Sequence, residues 1–238
     1  MVLLCFPWTP LRAANDQTAQ LRRARQAAHT GDWKTAEEAF RLYRQANPDS
    51  IEATVLHAEA LGHVSQPCDG ILELESLLTT HPDAVPALKL YGDLLDRIAH
   101  DWPRAEKAWL HASEVTRGDP DVWRLMADLY LQEDKADKAA DCYERTVKLA
   151  PDDPLMIAGL AYSHSRQGKT TEAEAGFQRA LNANDRLNSP DGRVYALYGH
   201  YLLHTSEAAK SLPFFTRAIK CGSAGRRCTM SARSHTKN

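Results

Sequence analysis

The chain has 238 residues, of which 43% are apolar and 25% are charged, and its formal net charge is −2. This balance is typical of a globular protein with a packed core, and it excludes a broadly basic protein that wraps nucleic acid. The five scattered cysteines do not form the pattern of a disulfide framework, and no apolar run approaches the roughly 20 residues of a membrane-spanning helix.

Residues 1–16 precede the regular part of the sequence. The apolar run VLLCFPW at 2–8 is interrupted by Pro7, and a short stretch of small and polar residues follows at 11–16. An export signal has such an apolar stretch and such small residues, but it also has a basic start, which this segment lacks. Two interpretations stay open: the remnant of an export signal, or a terminal segment that packs onto the first helices. The compartment therefore stays open between the cytoplasm and a bacterial periplasmic or exported location.

The next part of the chain repeats itself about every 34 residues. Six units follow one another, at 17–50, 51–84, 85–119, 120–153, 154–191 and 192–225. Unit position 8 is always small: Ala24, Ala58, Gly92, Ala127, Ala161 and Gly199. Unit position 20 is small as well: Ala36, Gly70, Ala105, Ala139, Ala173 and Ser211. Unit position 24 is large in every unit: Phe40, Leu74, Trp109, Tyr143, Phe177 and Phe215.

These restricted positions predict a pair of antiparallel helices in each unit. Two helices approach closely only where small side chains face each other, and a large residue beside the contact fills the remaining space. Prolines near the end of three units stop the second helix, and Gly31 and Gly168 stand where a first helix has to end. The third unit has one extra residue before Trp102, and the fifth has four extra residues at 188–191.

The pattern resembles the tetratricopeptide repeat, most fully in residues 120–153. The resemblance implies an all-α fold, a right-handed α-solenoid of about six helix-turn-helix repeats, in which each repeat buries its apolar face against its neighbours. It covers residues 17–225 and leaves 1–16 as an N-terminal segment and 226–238 as a basic tail that we expect to be disordered.

The resemblance also implies that the first helices line a concave groove. Unit position 13 then forms a ridge of mostly cationic or titratable groups, which would suit a ligand with carboxylates at matching intervals. The alternative is that these residues are solvated helix ends. The candidate partner-binding residues in the groove are His29, His63, Lys89, Arg97, Arg124, Asp128, Tyr162, Arg166, His200 and His204.

The motifs that carry catalysis or cofactors are incomplete. The segment GKTT at 168–171 lacks the earlier glycine of a phosphate-binding loop, because position 163 is a serine. His200 and His204 are spaced to share one helix face, but no third metal ligand stands near them. We therefore predict no catalytic residues, no metal and no cofactor.

These observations predict a non-catalytic scaffold that binds a peptide, helix or loop of another protein, and not nucleic acid. The second hypothesis is an accessory module of a longer enzyme, such as a transferase, or of a bacterial envelope or pilus assembly system. A third hypothesis is a metal or redox protein that uses His200, His204 and Cys221.

The end of the repeat array raises a separate expectation. Residues 222–238 carry four positive charges and no acid, and they have no helical apolar period that would cap the last repeat. The packed flank of the last helix, formed by Leu212, Phe215 and Ile219, would then face water. Three explanations stay open: a continuing array in a longer protein, an end-to-end homodimer, or a tail that folds over the flank.

Overall fold

The structure is a computed structural model that describes residues 9–205 and 207–221, with side chains from residue 18 onward. Within these ranges it contains twelve α-helices and no strand. The predicted tail at 226–238 and the first eight residues of the N-terminal segment lie outside the described residues.

The chain divides into two compact units, which we call the N-terminal unit and the C-terminal unit and which meet in sequence between Arg117 and Gly118. The helices of the N-terminal unit are α1 (Thr9–Thr30), α2 (Trp33–Ala46), α3 (Ile51–His63), α4 (Pro67–Thr80), α5 (Val85–Leu94) and α6 (Trp102–Thr116). Helix α1 begins eight residues before the expected start of the first repeat at 17, so the helical region extends into the segment that the sequence pattern had set apart.

The helices of the C-terminal unit are α7 (Pro120–Gln132), α8 (Ala136–Leu149), α9 (Pro154–Arg166), α10 (Thr170–Asn184), α11 (Gly192–Leu203) and α12 (Ser211–Lys220). A short 3-10 turn, Ala208–Lys210, precedes α12. Each predicted sequence unit therefore contains two helices, and the all-α solenoid fold class is confirmed.

Small residues make the close contact within each pair, as the pattern predicted. All residues at unit positions 8 and 20 are buried. A Cβ atom added to Gly70 would lie 2.8 Å from the carbonyl oxygen of Ala58, which shows how near the α4 backbone comes to α3. The large residue at unit position 24 fills the space beside this contact, and five of the six are nearly fully buried: Phe40, Leu74, Trp109, Tyr143 and Phe177.

Side-chain caps and left-handed residues fix where the helices begin and end. An aspartate or serine side chain accepts a backbone N–H bond at the start of six helices, through Asp32, Ser50, Asp101, Asp119, Asp153 and Asp191. Gly31 and Gly168 follow first helices with φ of +83° and +76°, which confirms their predicted role.

The two insertions are accommodated in different ways. The extra residue of the third repeat lies in a π-helical turn, Leu95–Ala99, at the end of α5. The four extra residues of the fifth repeat extend the loop after α10, where the buried Asn184 side chain donates to the carbonyl of Asp191 (3.0 Å) and accepts from its N–H (2.8 Å). An insertion inside a helix is thus wound into the helix, and an insertion in a loop is held by one amide.

The first helices of neighbouring repeats form one layer within each unit. Helix α3 contacts α5 directly, and α9 contacts α11, whereas the second helices α4 and α6, or α10 and α12, approach each other less closely. We call the first helices of each unit its inner layer and the second helices its outer layer, as in other helical repeat proteins.

Candidate functional site: the inner layer of first helices

An ion pair on α7 joins two of the candidate residues. Arg124 Nη1 lies 2.9 Å from Asp128 Oδ2, one helical turn away, and only 16% of the Arg124 side chain is exposed. The other Asp128 oxygen accepts a hydrogen bond from the hydroxyl of Tyr143 on α8. The guanidinium is therefore held in a fixed position at the inner layer.

Charges from α11 approach the same region. Arg193 is bound by Asp191, with Nη2–Oδ2 at 2.6 Å, and this hydrogen bond raises the pKa of its guanidinium despite partial burial. The charges of Asp128 and Asp153 raise that pKa further, so Arg193 lies within their electrostatic range. Between α7 and α11, helix α9 presents the small, fully buried Ala158 at unit position 5. A small residue on the middle helix lets polar groups from both neighbours converge.

Tyr162 and Arg166 interact with each other on α9. A hydrogen bond with Tyr162 is the main reason that the pKa of Arg166 is raised, and a further bond with Asp134 adds to the effect. Asp134 lies in the turn after the preceding first helix, α7, and has a left-handed φ of +59°. Arg166 therefore connects two neighbouring first helices.

The two histidines of α11 are not brought together as ligands. The ring of His200 packs edge-on against Phe215, with centroids 5.2 Å apart, and His204 is the exposed residue that ends α11. In the part of the chain that the structure describes, no three His, Cys, Asp or Glu side chains are arranged as a metal site requires.

The N-terminal unit contains the other four candidates. The ring of His63 stacks on Trp33 with centroids 3.7 Å apart, His29 is exposed near the end of α1, and Lys89 lies half-buried on α5. Arg97 stands in the π-helical turn and binds Asp93, with Nη2–Oδ2 at 2.6 Å. The ridge at unit position 13 is therefore not a row of unneutralised cations, because carboxylates bind both of its arginines.

A buried histidine outside the predicted set joins three helices. His57 is 4% exposed, its Nδ1 lies 2.9 Å from Glu73 Oε2, and its Nε2 lies 3.3 Å from Glu37 Oε1. Arg44 Nη1 binds the second oxygen of Glu73 at 2.7 Å. The repeat pattern did not single out His57, since unit position 7 has no common residue type along the chain.

Two further networks join consecutive repeats in the same way. Arg104 on α6 binds Glu75 on α4 and the hydroxyl of Tyr91 on α5. At the other end, Arg217 on α12 binds Asp185 after α10 (2.9 Å) and the hydroxyl of Tyr195 on α11 (3.1 Å). Burial and the hydrogen bond to Asp185 raise the pKa of Tyr195 to about 12. Each network links an acid of one repeat to a tyrosine and an arginine of the next.

The flank of the last helix is exposed in the part of the chain that the structure describes. Leu212 and Ile219 are each 71% exposed on α12, and Phe215 is half-buried. The expected end-to-end dimer through this flank stays a prediction. None of the described helices is long and apolar enough to cross a membrane.

Paired antiparallel helices with small residues at the contacts, repeated along the chain, define a helical-repeat protein of the α-solenoid class. Family models of the tetratricopeptide repeat match residues 120–163 and 159–226. Residues 120–226 of the chain therefore match tetratricopeptide repeats, as the sequence pattern indicated.

Sequence relatives carry the same repeat. The chain is 29% identical over 105 residues to mouse tetratricopeptide repeat protein 21A, an alignment that covers 44% of this chain and 8% of the relative. It is 30% identical over 96 residues to the human protein of that name, with 40% and 7% covered. The chain thus spans less than a tenth of the length of these curated relatives.

Solved structures show the same fold. The chain resembles pilF of Pseudomonas aeruginosa with a TM-score of 0.65 and 16% identity over 94% of each chain. A thermophilic TPR protein of Thermus thermophilus gives 0.63 and 18%, with 79% of this chain and 99% of that chain covered. MamA of Desulfovibrio magneticus RS-1 gives 0.61 and 14%, with 73% and 97% covered. At these identities the likeness concerns the fold alone.

Proposed function

We propose that the chain is a non-catalytic scaffold that binds a segment of another protein on the inner layer of first helices. Proteins of the tetratricopeptide repeat family are generally interaction scaffolds, and that general role is the starting point of the proposal. The observation that carries it is the convergence of Arg124, Asp128 and Arg193 on one surface of the C-terminal unit.

The chemistry of this surface favours a segment with acidic side chains. Arg124 and Arg166 are held by carboxylates of their own chain, but a guanidinium has five N–H donors and one carboxylate uses at most two of them. The remaining donors can bind a carboxylate or a backbone carbonyl of the partner. Tyr162 beside Arg166 adds an aromatic surface for an apolar side chain.

A displayed random peptide library selected on the full chain tests this proposal. Peptides recovered at physiological salt would be measured against the double variant Arg124→Ala/Arg166→Ala. Each lost charge-assisted hydrogen bond costs about 1.5 kcal/mol or more, so we expect a loss of affinity of at least tenfold.

The matched control changes two arginines of the outer layer, Arg179→Ala/Arg186→Ala, which lie on or just after α10. It removes the same net charge, so we expect its affinity for the peptides to change less than twofold. Unchanged affinity in the inner-layer variant would assign the binding surface to the outer layer and would refute the proposal.

The alternative function is an accessory module of a longer protein, such as a transferase or a bacterial envelope or pilus assembly component. The observation that favours it is the short span of the chain relative to the two curated sequence relatives. In that case the inner layer would bind a segment of its own protein. The genomic reading frame downstream of the codon for Cys221 distinguishes the two, because continuing repeats there support the module.

A further inference from the structure

An open cleft of about 540 Å³ lies on the outer-layer helix α10, beside α11. It is distinct from the inner-layer surface, and the inference below is independent of the proposed function. The residues that line the cleft are Thr170, Thr171, Glu174, Ala175, Gln178 and Tyr201. Glu174 is the only charged side chain among these lining residues.

Glu174 has neutral neighbours. The hydroxyl of Tyr198 lies 3.4 Å from its Oε1, and Tyr201 also forms a hydrogen bond with it. In the described part of the chain, no lysine, arginine or histidine lies within 4.0 Å of this carboxylate. The carboxylate is exposed, and the two tyrosines that neighbour it are neutral phenols.

The first repeat has a glutamate at the same unit position, and that glutamate has cationic partners. Glu37 also stands at unit position 21, and two cationic side chains reach it: Arg41, whose Nε lies 3.6 Å away, and His57, whose Nε2 lies 3.3 Å away. At the corresponding positions around Glu174 stand the neutral Gln178 and Tyr198. The fifth repeat therefore has the acid of the first repeat without its cationic partners.

Aromatic side chains form a rigid wall beside this carboxylate. The ring centroid of Tyr198 lies 5.2 Å from that of Phe177 and 4.7 Å from that of Phe214, and the centroid of Tyr201 lies 5.0 Å from that of Phe177. Burial, together with the charges of Glu174 and Glu207, raises the pKa of Tyr198 to about 12. The negative potential that disfavours ionisation of the Tyr198 hydroxyl also attracts a cation to this place.

We propose that this cleft binds a lysine or arginine side chain from a basic segment of a partner protein. The cationic end would pair with Glu174 in place of the missing cation, and the aliphatic stem would lie against the tyrosine wall. The cleft volume exceeds that of one such side chain, so neighbouring residues of the segment have room on α10.

Fluorescence anisotropy with a labelled oligo-arginine peptide and the full chain tests this proposal. We expect Glu174→Gln to weaken binding about fivefold to tenfold, because it removes the paired charge. The matched control Glu172→Gln makes the same change of net charge two residues away on α10, and we expect less than a twofold effect. Equal losses in both variants, or no binding by the unmodified chain, would overturn the proposal.

A second pair of variants supplies the missing cation from within the chain. Gln178→Arg restores the spacing of Glu37 and Arg41, so the new guanidinium should pair with Glu174 and reduce oligo-arginine binding about fivefold or more. Asn182→Arg adds the same charge on the same helix but one turn farther away, and it should retain most of the binding. An equal effect of both variants would mean that general repulsion decides the affinity, which contradicts a defined site.

The basic residues after α12 offer a different occupant, which the full chain also tests. If the chain's own tail filled the cleft, Arg226→Ser/Arg227→Ser would increase the affinity for the labelled peptide. The proposal of an external partner expects no change in this variant. An increase in affinity of threefold or more would indicate that the tail occupies the cleft and would overturn the proposal of an external partner.

Discussion

Gly92 and Trp109 show how one residue determines the identity of another. Trp109 is 1% exposed, and its indole N–H donates to the carbonyl of Lys89 at 3.1 Å. A Cβ atom added to Gly92 would lie 2.4 Å from Trp109 Nε1, closer than real Cβ contacts occur. The third repeat thus has the largest residue at unit position 24 opposite the smallest at unit position 8.

We expect Gly92→Ala to lower the free energy of unfolding by about 2 kcal/mol, because overpacking outweighs the better helix propensity of alanine. Urea unfolding measures this loss. In a Trp109→Phe background the same change should cost at least about 1 kcal/mol less, because the clash is relieved. Gly62→Ala is the control, since its added methyl group meets only the flexible end of Leu94. Equal losses for Gly62→Ala and Gly92→Ala would contradict the steric explanation.

Asn184 is the second residue whose contribution can be measured directly. We expect Asn184→Ala to destabilise the chain by about 2 kcal/mol, because it leaves the N–H and carbonyl of Asp191 without their partner. Asn182→Ala, on the exposed side of the same helix, should cost less than about 0.5 kcal/mol. A similar stability of the two variants in thermal unfolding would show that the amide does not hold the loop.

At the scale of the secondary-structure element, the π-helical turn Leu95–Ala99 accommodates the extra residue of the third repeat. The repeat pattern identified one extra residue in the third repeat, but the same sequence is compatible with a longer loop. The end of this turn decides between them: Asp101 N–H bonds to the carbonyl of Leu95, and His100 adopts a left-handed φ of +52°. Whether the extra residue forms a π-helical turn or lengthens the loop depends on packing, which the spacing of residues in the sequence does not show.

Deleting the exposed Ala99 should therefore be tolerated. The deletion restores the regular repeat length and converts the π-helical turn to α-helix, so we expect the free energy of unfolding to stay within about 1 kcal/mol of the original. Deleting Leu125 from the regular helix α7 should instead abolish the cooperative transition, because it rotates every later residue of that helix away from its contacts. Loss of folding in both deletions would contradict the proposed role of the π-helical turn.

A residue with left-handed backbone at a helix end leads to a prediction about glycine, which should stabilise the chain there and destabilise it inside a helix. Ser65 follows α3 with φ of +68°, at the turn where other repeats have Gly31 and Gly168. We expect Ser65→Gly to stabilise the chain by about 0.5–1 kcal/mol, since glycine adopts this conformation without a Cβ penalty. The same substitution inside α4, Ser76→Gly, should destabilise it by about 1 kcal/mol. A stability decrease in Ser65→Gly, measured by thermal unfolding, would refute the assignment of backbone strain.

At the scale of the molecule, the sequence predicted the repeats well and the candidate site only in part. Small residues at two unit positions were sufficient to locate all six helix pairs. Close packing of two helices requires a small residue at each of these positions, whatever residues stand beside it in the sequence. The first-helix positions of Arg124 and Arg166 followed from the same register. The ion pair of Arg166 did not, because Asp134 reaches Arg166 from a turn whose left-handed backbone the pattern does not encode.

The chain combines two kinds of polar surface, each in a different layer. Carboxylates and arginines neutralise each other on the inner layer of the C-terminal unit, whereas Glu174 on the outer helix α10 forms no ion pair within the described residues. The proposed function uses the first surface and the further inference the second. A variant that affects one should leave the other intact, so the two can be tested separately.

The most direct test of the scaffold proposal places a photo-crosslinking benzoylphenylalanine at Tyr162 on α9 and, as a control, at Leu149 at the end of the outer-layer helix α8. Each protein would be irradiated with a peptide selected from the displayed library, and mass spectrometry would locate the crosslink. We predict a crosslink from position 162 and none from position 149. A crosslink from position 149 alone would place the partner on the outer layer and would contradict the account.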